Sequence, residues 1–293
     1  LLAGVALAAR AQEISIPDPG LNAAIRAALQ IPVLPLTEQD MLSLTNLDAS
    51  SRNISNLQGL DAARNLVSLD LHLNPLTNFS LPSQLTNLMV LDLSLDSLTN
   101  CSFPGGLMRL ATLNLQGNRL TNLTLPAGLN GLSSLDLSQN RIPRFSLPAN
   151  LTSLSFLDLS LNGITNVSLP SGLTNLTRLV IQGNNTLADL NLPEGLTALE
   201  TLDLEQNLLN GVSLPLGLKS LRKLNLEGNQ LFSLTLPAGM TNLAELILAR
   251  NHLDSLTLPA DLTRLAVLDL FGNQLTNVTI PGSLTALTEL DLA

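Results

Sequence analysis

The sequence predicts an α/β-type solenoid, mostly β: a right-handed horseshoe or superhelix of 22-residue turns behind a small helical N-terminal cap. Three observations predict it. The form L-x-x-L-x-L-x-x-N recurs with first leucines at Leu66, Leu88, Leu110, Leu132, Leu154, Leu176, Leu199, Leu221, Leu243 and Leu265, with a degenerate copy at Leu44 and a truncated one at Leu287. The step is 22 residues throughout, except for 23 between Leu176 and Leu199. A period in this range marks units that cannot bury an apolar face alone and must stack. Finally, the 293 residues are 45% hydrophobic but only 2% aromatic, all of it Phe. That balance suits a leucine stack better than an ordinary globular core.

The chain divides into three parts. Residues 1–11 read as the remnant of a secretory signal peptide, a short apolar run ending in Ala9-Arg10-Ala11, an A-x-A cleavage site that leaves Gln12 at the start of the mature chain. The run is too short to span a bilayer. Residues 12–43 form the cap. Asp18-Pro19 is an N-cap followed by proline at the first helical position, opening a helix over 19–29. Pro32 and Pro35 break it, and Thr37-Glu-Gln-Asp40 starts a second short helix in the manner of a capping box. Residues 44–293 are the repeats, about 11 full ones and a truncated last one, beginning with a strand at Leu47-Asp48-Ala49. Because an open solenoid end exposes a slab of leucines, the polypeptide is expected to continue past Ala293.

The series Ile16-Pro-Asp-Pro-Gly-Leu-Asn, Leu36-Thr-Glu-Gln-Asp and Ile54-Ser-Asn-Leu-Gln-Gly-Leu resembles the cap and first repeat of internalin-like bacterial leucine-rich-repeat proteins. The L-x-x-L-x-L-x-x-N array is itself the leucine-rich-repeat signature, and the resemblance covers nearly the whole chain. It implies a scaffold and not a ligand, since the family shares the first and not the second.

Within each repeat, x-L-x-L-x has the two-residue period of a strand. The two leucines point inward, the residues between them point out, and stacked copies line the concave side with a parallel sheet. The closing Asn, replaced once by Asp96, is expected to satisfy backbone groups where the chain turns inward. The return half, as in Leu120-Thr-Asn-Leu123-Thr124-Leu125-Pro126, again alternates with period two and predicts a second short parallel strand on the convex side. Proline ends that ladder for want of an N–H. Two residues after it stand Gly106, Gly128, Gly172, Gly195, Gly217 and Gly239, with Asn150 or Asp261 as replacements, a pattern that points to positive φ. A helical or 3₁₀ turn across P-x-G-L-T-x-L is the alternative; one brief turn there and little α-helix after the cap is the expectation. Cys101 falls in the column of Phe79, Leu123, Phe145 and Val167 and reads as a small buried hydrophobe.

Several function classes are disfavoured. A net charge of −9 argues against nucleic acid, which needs a basic face, and against docking on anionic lipid. One cysteine excludes an internal disulfide. His72 and His252 lie eight repeats apart, about 40 Å at the usual strand spacing, so they cannot share a metal or a triad. No metal-ligand cluster, nucleophile elbow or phosphate loop is present, and neither catalysis nor a cofactor is expected. Sequons such as those at Asn78, Asn122, Asn166 and Asn277 are by-products of the repeat. The central outward column runs Asp70, Asp92, Asn114, Asp136, Asp158, Val180, Asp203, Asn225, Ile247, Asp269, Asp291. Such a row could attract Ca²⁺, but a flat row supplies too few converging oxygens, and it reads as ordinary consensus.

The flanking concave columns vary more. Ser and Thr dominate the first half, and the unusual residues begin at Phe156. A binding patch is expected among Phe156, Arg178, Gln182, Asp203, Glu205, Lys223, Glu227 and Arg250; the alternative is a drifting, solvated surface. The absence of Tyr and Trp counts against a tight hot spot and against stacking on sugar rings. The chain therefore reads as a non-catalytic, secreted or cell-surface interaction module that presents its concave face to a protein or surface glycan. A rigid spacer for a further domain, or the targeting part of an enzyme whose catalytic part lies elsewhere, are the other readings.

Overall fold

The computed structural model describes residues 13–293, so the signal-peptide reading of 1–11 lies outside the described residues. Helix α1 (Pro19–Leu29) and helix α2 (Glu38–Ser43) sit at the N-terminal end, and no α-helix follows them among the described residues. Asp18 ties α1 to the first turn of the solenoid. Its Oδ1 accepts the N–H groups of Gly20 and Leu21, and its Oδ2 those of Ser55 and Asn56. Burial pushes this carboxyl up, but those four donors together hold it below the usual carboxylate value. Thr37 and Asp40 form the reciprocal capping box of α2.

The concave face is one twelve-stranded parallel sheet built from three-residue strands, the first at Asn46–Asp48 and the last at Glu289–Asp291. Register is fixed by stacking like on like: Leu47 pairs with Leu69, Leu135 with Leu157, Leu202 with Leu224. The step of 23 does not disturb this sheet, since Arg178 still pairs with Thr201 and Leu179 with Leu202. The inward leucines of these strands are completely or almost completely buried, apart from Leu290 in the last one. They form one continuous core with the cap residues Leu21, Ile25 and Met41.

The convex strand forms only in part. Asn78–Ser80 pairs with Asn100–Ser102, Arg144–Ser146 with Asn166–Ser168, and Ser255–Thr257 with Asn277–Thr279, while Asn191 and Ser213 make a single bridge. The segments around Leu123 and Leu234 join no ladder. A second strand in every repeat is therefore corrected to strands in pairs. In a curved stack the outer arc is longer than the inner one, so an unbroken inner ladder leaves the outer strands too far apart to pair at every turn.

The glycine reading is corrected in the same way. Gly106, Gly128 and Gly239 have φ of 92°, 103° and 91°, but Gly172, Gly195 and Gly217 do not have positive φ, nor do Asn150 and Asp261. At Gly195 and Gly217 the constraint is space: a Cβ would collide with the carbonyl oxygens of Ser171 and Glu194 in the turn below.

The left-handed backbone is concentrated elsewhere, in the residue before each closing Asn. Ser51, Leu73, Leu95, Gly117, Gln139, Leu161, Gly183, Gln206, Gly228, Arg250 and Gly272 all have positive φ, between 54° and 68°. Each such residue from Ser51 to Arg250 donates its N–H to a carbonyl of the next turn, as Gln139 does to Ser160 at 2.9 Å. The ladder thus runs two residues past the strand, and the left-handed bend turns the following Asn inward.

Candidate functional site: the concave face

The inward half of the motif is consumed by folding. Asn140 donates to the carbonyls of Leu115 and Leu137 at 2.8 and 3.0 Å and accepts the N–H of Leu120 at 3.0 Å, so one side chain bolts its own turn to the preceding one at two points. The buried asparagines Asn118, Asn162, Asn229 and Asn251 repeat the arrangement.

The central outward column also has a structural role. Oδ1 of Asp92, Asp136, Asp158 and Asp203 accepts the N–H two residues further on, as do the amide oxygens of Asn114 and Asn225. Asp and Asn share this acceptor, which is why they interchange there. Among the described residues no three His, Cys, Asp or Glu side chains converge as a metal site. No described helix is long and apolar enough to cross a membrane.

The outward residues named from the sequence fall on neighbouring strands. Phe156, Arg178, Thr201, Lys223 and Glu245 stand in one row across the sheet, and Asp158, Val180, Asp203, Asn225 and Ile247 in the next. Gln182, Glu205 and Glu227 lie just beyond, half-buried, and Arg250 occupies the left-handed column at the rim. Their charges are largely spent on one another. Lys223 Nζ is 2.9 Å from Glu245, Arg250 is 3.6 Å from Glu227, and Glu205 accepts the side-chain amide of Asn225 at 3.1 Å. Arg178 differs: it is exposed and has no ion-pair partner among the described residues.

Two neighbours complete this corner. Val180 stands in the outward column yet is buried. Asp158 stands beside it: burial pushes its carboxyl up, the Ser160 hydroxyl and N–H pull it down, the Asp136 carboxylate pushes it up and the Arg178 guanidinium pulls it down. The signal for both was the replacement of L-D-L by Leu179-Val180-Ile181, which breaks the acidic column next to Phe156. Cys101 is buried and its thiol is pushed up to about 12 by that burial, as a small core hydrophobe.

Two family profiles match the chain: Leucine Rich repeats (2 copies) over residues 152–196, and the BspA type Leucine rich repeat region (6 copies) over residues 184–290. A search of curated proteins returned no match. Solved structures do match. The functional domain of InlJ from Listeria monocytogenes, which includes a cysteine ladder, aligns with a TM-score of 0.76 at 25% identity over 94% of this chain. This chain spans 62% of that one, and Cys101 is its own single cysteine. The internalin InlF of the same organism aligns with a TM-score of 0.53 at 24% identity, over 94% of this chain and 96% of that one. A plant peptide hormone receptor, RGFR1, solved in complex with RGF2, aligns with a TM-score of 0.60 at 26% identity, over 88% of this chain and 44% of that one. From the repeats, the asparagine ladder and these likenesses together, the chain is a leucine-rich-repeat protein, similar in fold to the internalins of Listeria monocytogenes.

Proposed function

We propose that the chain is a non-catalytic, exported interaction module that binds a protein through its concave face, with Phe156, Arg178 and Gln182 at the centre of the contact. Asp203, Glu205, Lys223, Glu227 and Arg250 form its rim. The observation that carries this reading is Arg178, an exposed cation in no ion pair among the described residues, paired in register with Phe156 beside the buried Val180. A guanidinium beside an aromatic ring is a common core of protein interfaces. The rim charges, of which Lys223, Glu227 and Arg250 are already in ion pairs, would contribute to specificity more than to affinity. The plant peptide hormone receptor RGFR1, similar in fold, was solved in complex with RGF2, which supports the use of such a scaffold for protein ligands.

The test is retention of the labelled chain on intact bacterial and host-cell surfaces. The double variant Phe156→Ser/Arg178→Glu should lower retention at least about tenfold, roughly the 1.4 kcal/mol of a single hot spot. A convex-side control, Ser146→Glu, should leave it unchanged. Loss of binding after protease treatment of the surface supports a protein ligand, and loss after glycosidase treatment points to a glycan instead. Equal retention of wild type and double variant, or none by either, removes the patch and leaves the spacer reading.

A further inference from the structure

One turn of the ladder is built differently. Around Asn140, each leucine carbonyl accepts from two side-chain amides: Leu115 from Asn118 and Asn140, and Leu137 from Asn140 and Asn162. Around position 96 each carbonyl has one such donor. Leu71 accepts from Asn74 at 2.6 Å, and Leu93 from Asn118 at 2.7 Å. The missing donor in both cases is the amide that Asp96 replaces. Asp96 is buried; its Oδ1 accepts the N–H of Asn74 at 2.5 Å, and its Oδ2 is shielded from solvent without a hydrogen-bond partner.

We propose that Asp96 is a proton-operated joint in the N-terminal third of the solenoid: protonated, its Oδ2–H takes the place of the amide and closes the turn carrying Asn74 onto the turn carrying Asp96, and ionised it opens them. Asp96 takes the repeat position of the asparagines whose amides donate to such carbonyls, and Oδ2 is its buried, unpartnered atom. A carboxylate there would direct negative charge at two carbonyl oxygens, whereas a carboxylic acid donates to one of them. The charged groups around it are few. Burial is the first influence and pushes the Asp96 carboxyl up to about 7; the Asn74 N–H pulls it down, Asp92 and Asp70 push it up, and His72 pulls it down. His72 is itself held 2.8 Å from Asp70, and that hydrogen bond raises its own pKa.

The direction of the effect follows from linkage. The folded-state value lies above the ordinary carboxylate value of 3.8, so the stabilising proton is fully in place below that value and is lost as pH rises through about 7. The joint is thus tighter in mild acid than in mild alkali, the reverse of a salt-bridged carboxylate.

The experiment is urea unfolding of the whole chain at pH 5 and pH 8.5 in wild type, Asp96→Asn and His72→Gln, with amide exchange of Asn74 and Leu98 read under both conditions. Asp96 should contribute a drop of about a hundredfold in the folding constant between the two pH values. Asp96→Asn should remove that contribution and be the more stable protein at pH 8.5. His72→Gln should keep the Asp96 part of the slope, which separates the two titrating groups. In wild type the Asn74 and Leu98 amides, corrected for intrinsic rates, should exchange faster at pH 8.5. The same pH slope in Asp96→Asn as in wild type, or an Asp96→Asn protein less stable than wild type at pH 8.5, overturns the proposal. The exchange measurement decides it even if one variant folds poorly.

Discussion

Asn184 and Asn207 close consecutive repeats with the same motif, and their surroundings differ. Asn184 is fully buried, donates to Leu159 and Ile181, and accepts the N–H groups of Asn162 and Ile164. Asn207 also donates, to Ile181 and Leu204, but its Oδ1 is buried without a partner. The cause lies between them. The step of 23 places three residues where other turns have two, and the local turn diverts the N–H groups of Thr186 and Leu187 to the carbonyl of Asn184. Leu187, the counterpart of Ile164, is the donor that Asn207 lacks. A strand register can therefore absorb an inserted residue while the internal ladder cannot, because the strand needs only a neighbour and the ladder needs a donor at one place.

The largest effect should separate the two asparagines directly. Asn184→Ala leaves the N–H groups of Asn162 and Ile164 without their acceptor and removes one of the two amide donors at each of the Leu159 and Ile181 carbonyls; it should lose about 4 kcal/mol, whereas Asn207→Ala, whose oxygen satisfies nothing, should lose about 2 kcal/mol. Urea unfolding of both variants measures this, and equal losses would mean that the orphaned oxygen is not an energetic deficit. Next in size, deletion of Asn185 restores the step of 22 and lets Leu187 N–H reach Asn207. It should stabilise the chain by about 1 kcal/mol and slow exchange of the Leu187 amide. A destabilised deletion variant would show that the local turn is worth more than the bond it displaces. The smallest effect concerns the left-handed column on either side of Asn207. Gln206→Gly should stabilise by about 1 kcal/mol, and Gly228→Gln should destabilise by a similar amount, since only the second adds a side chain at positive φ. Thermal melts suffice, and shifts of the same sign in both would contradict the assignment of strain to that column.

Much of this architecture was legible because its causes are local and periodic. The Leu-x-Leu alternation fixes the strand, Asp18-Pro19 and Thr37–Asp40 fix the helix starts, and the Asn column announces its own burial. Three features were hidden for physical reasons. The left-handed column is filled in seven turns by Ser, Leu, Gln or Arg, which carry no preference for positive φ, and only Gly117, Gly183, Gly228 and Gly272 mark it. The glycines after proline were conspicuous, but at Gly195 and Gly217 they answer to a carbonyl in the turn below, a contact 24 and 23 residues away in sequence, respectively. Pairing of the convex strands depends on the curvature of the whole stack, to which no single repeat testifies. At the concave face the columns could be listed from sequence, but not the ion pairs that neutralise Lys223 and Arg250 and leave Arg178 alone.

The pairwise convex strands have a mechanical consequence. Pulled end to end, a solenoid is a set of springs in series, and the turn with the fewest cross-connections gives first. Among the described residues the concave sheet and the asparagine ladder connect the turns throughout, but convex strands join 78–80 to 100–102, 144–146 to 166–168 and 255–257 to 277–279, with a single bridge between Asn191 and Ser213. Those turns form the more heavily riveted blocks, and the stretches around Leu123 and Leu234, which lack a convex ladder, are the more compliant segments between them. Under tension such an array extends unevenly, and the curvature of the concave face changes there first.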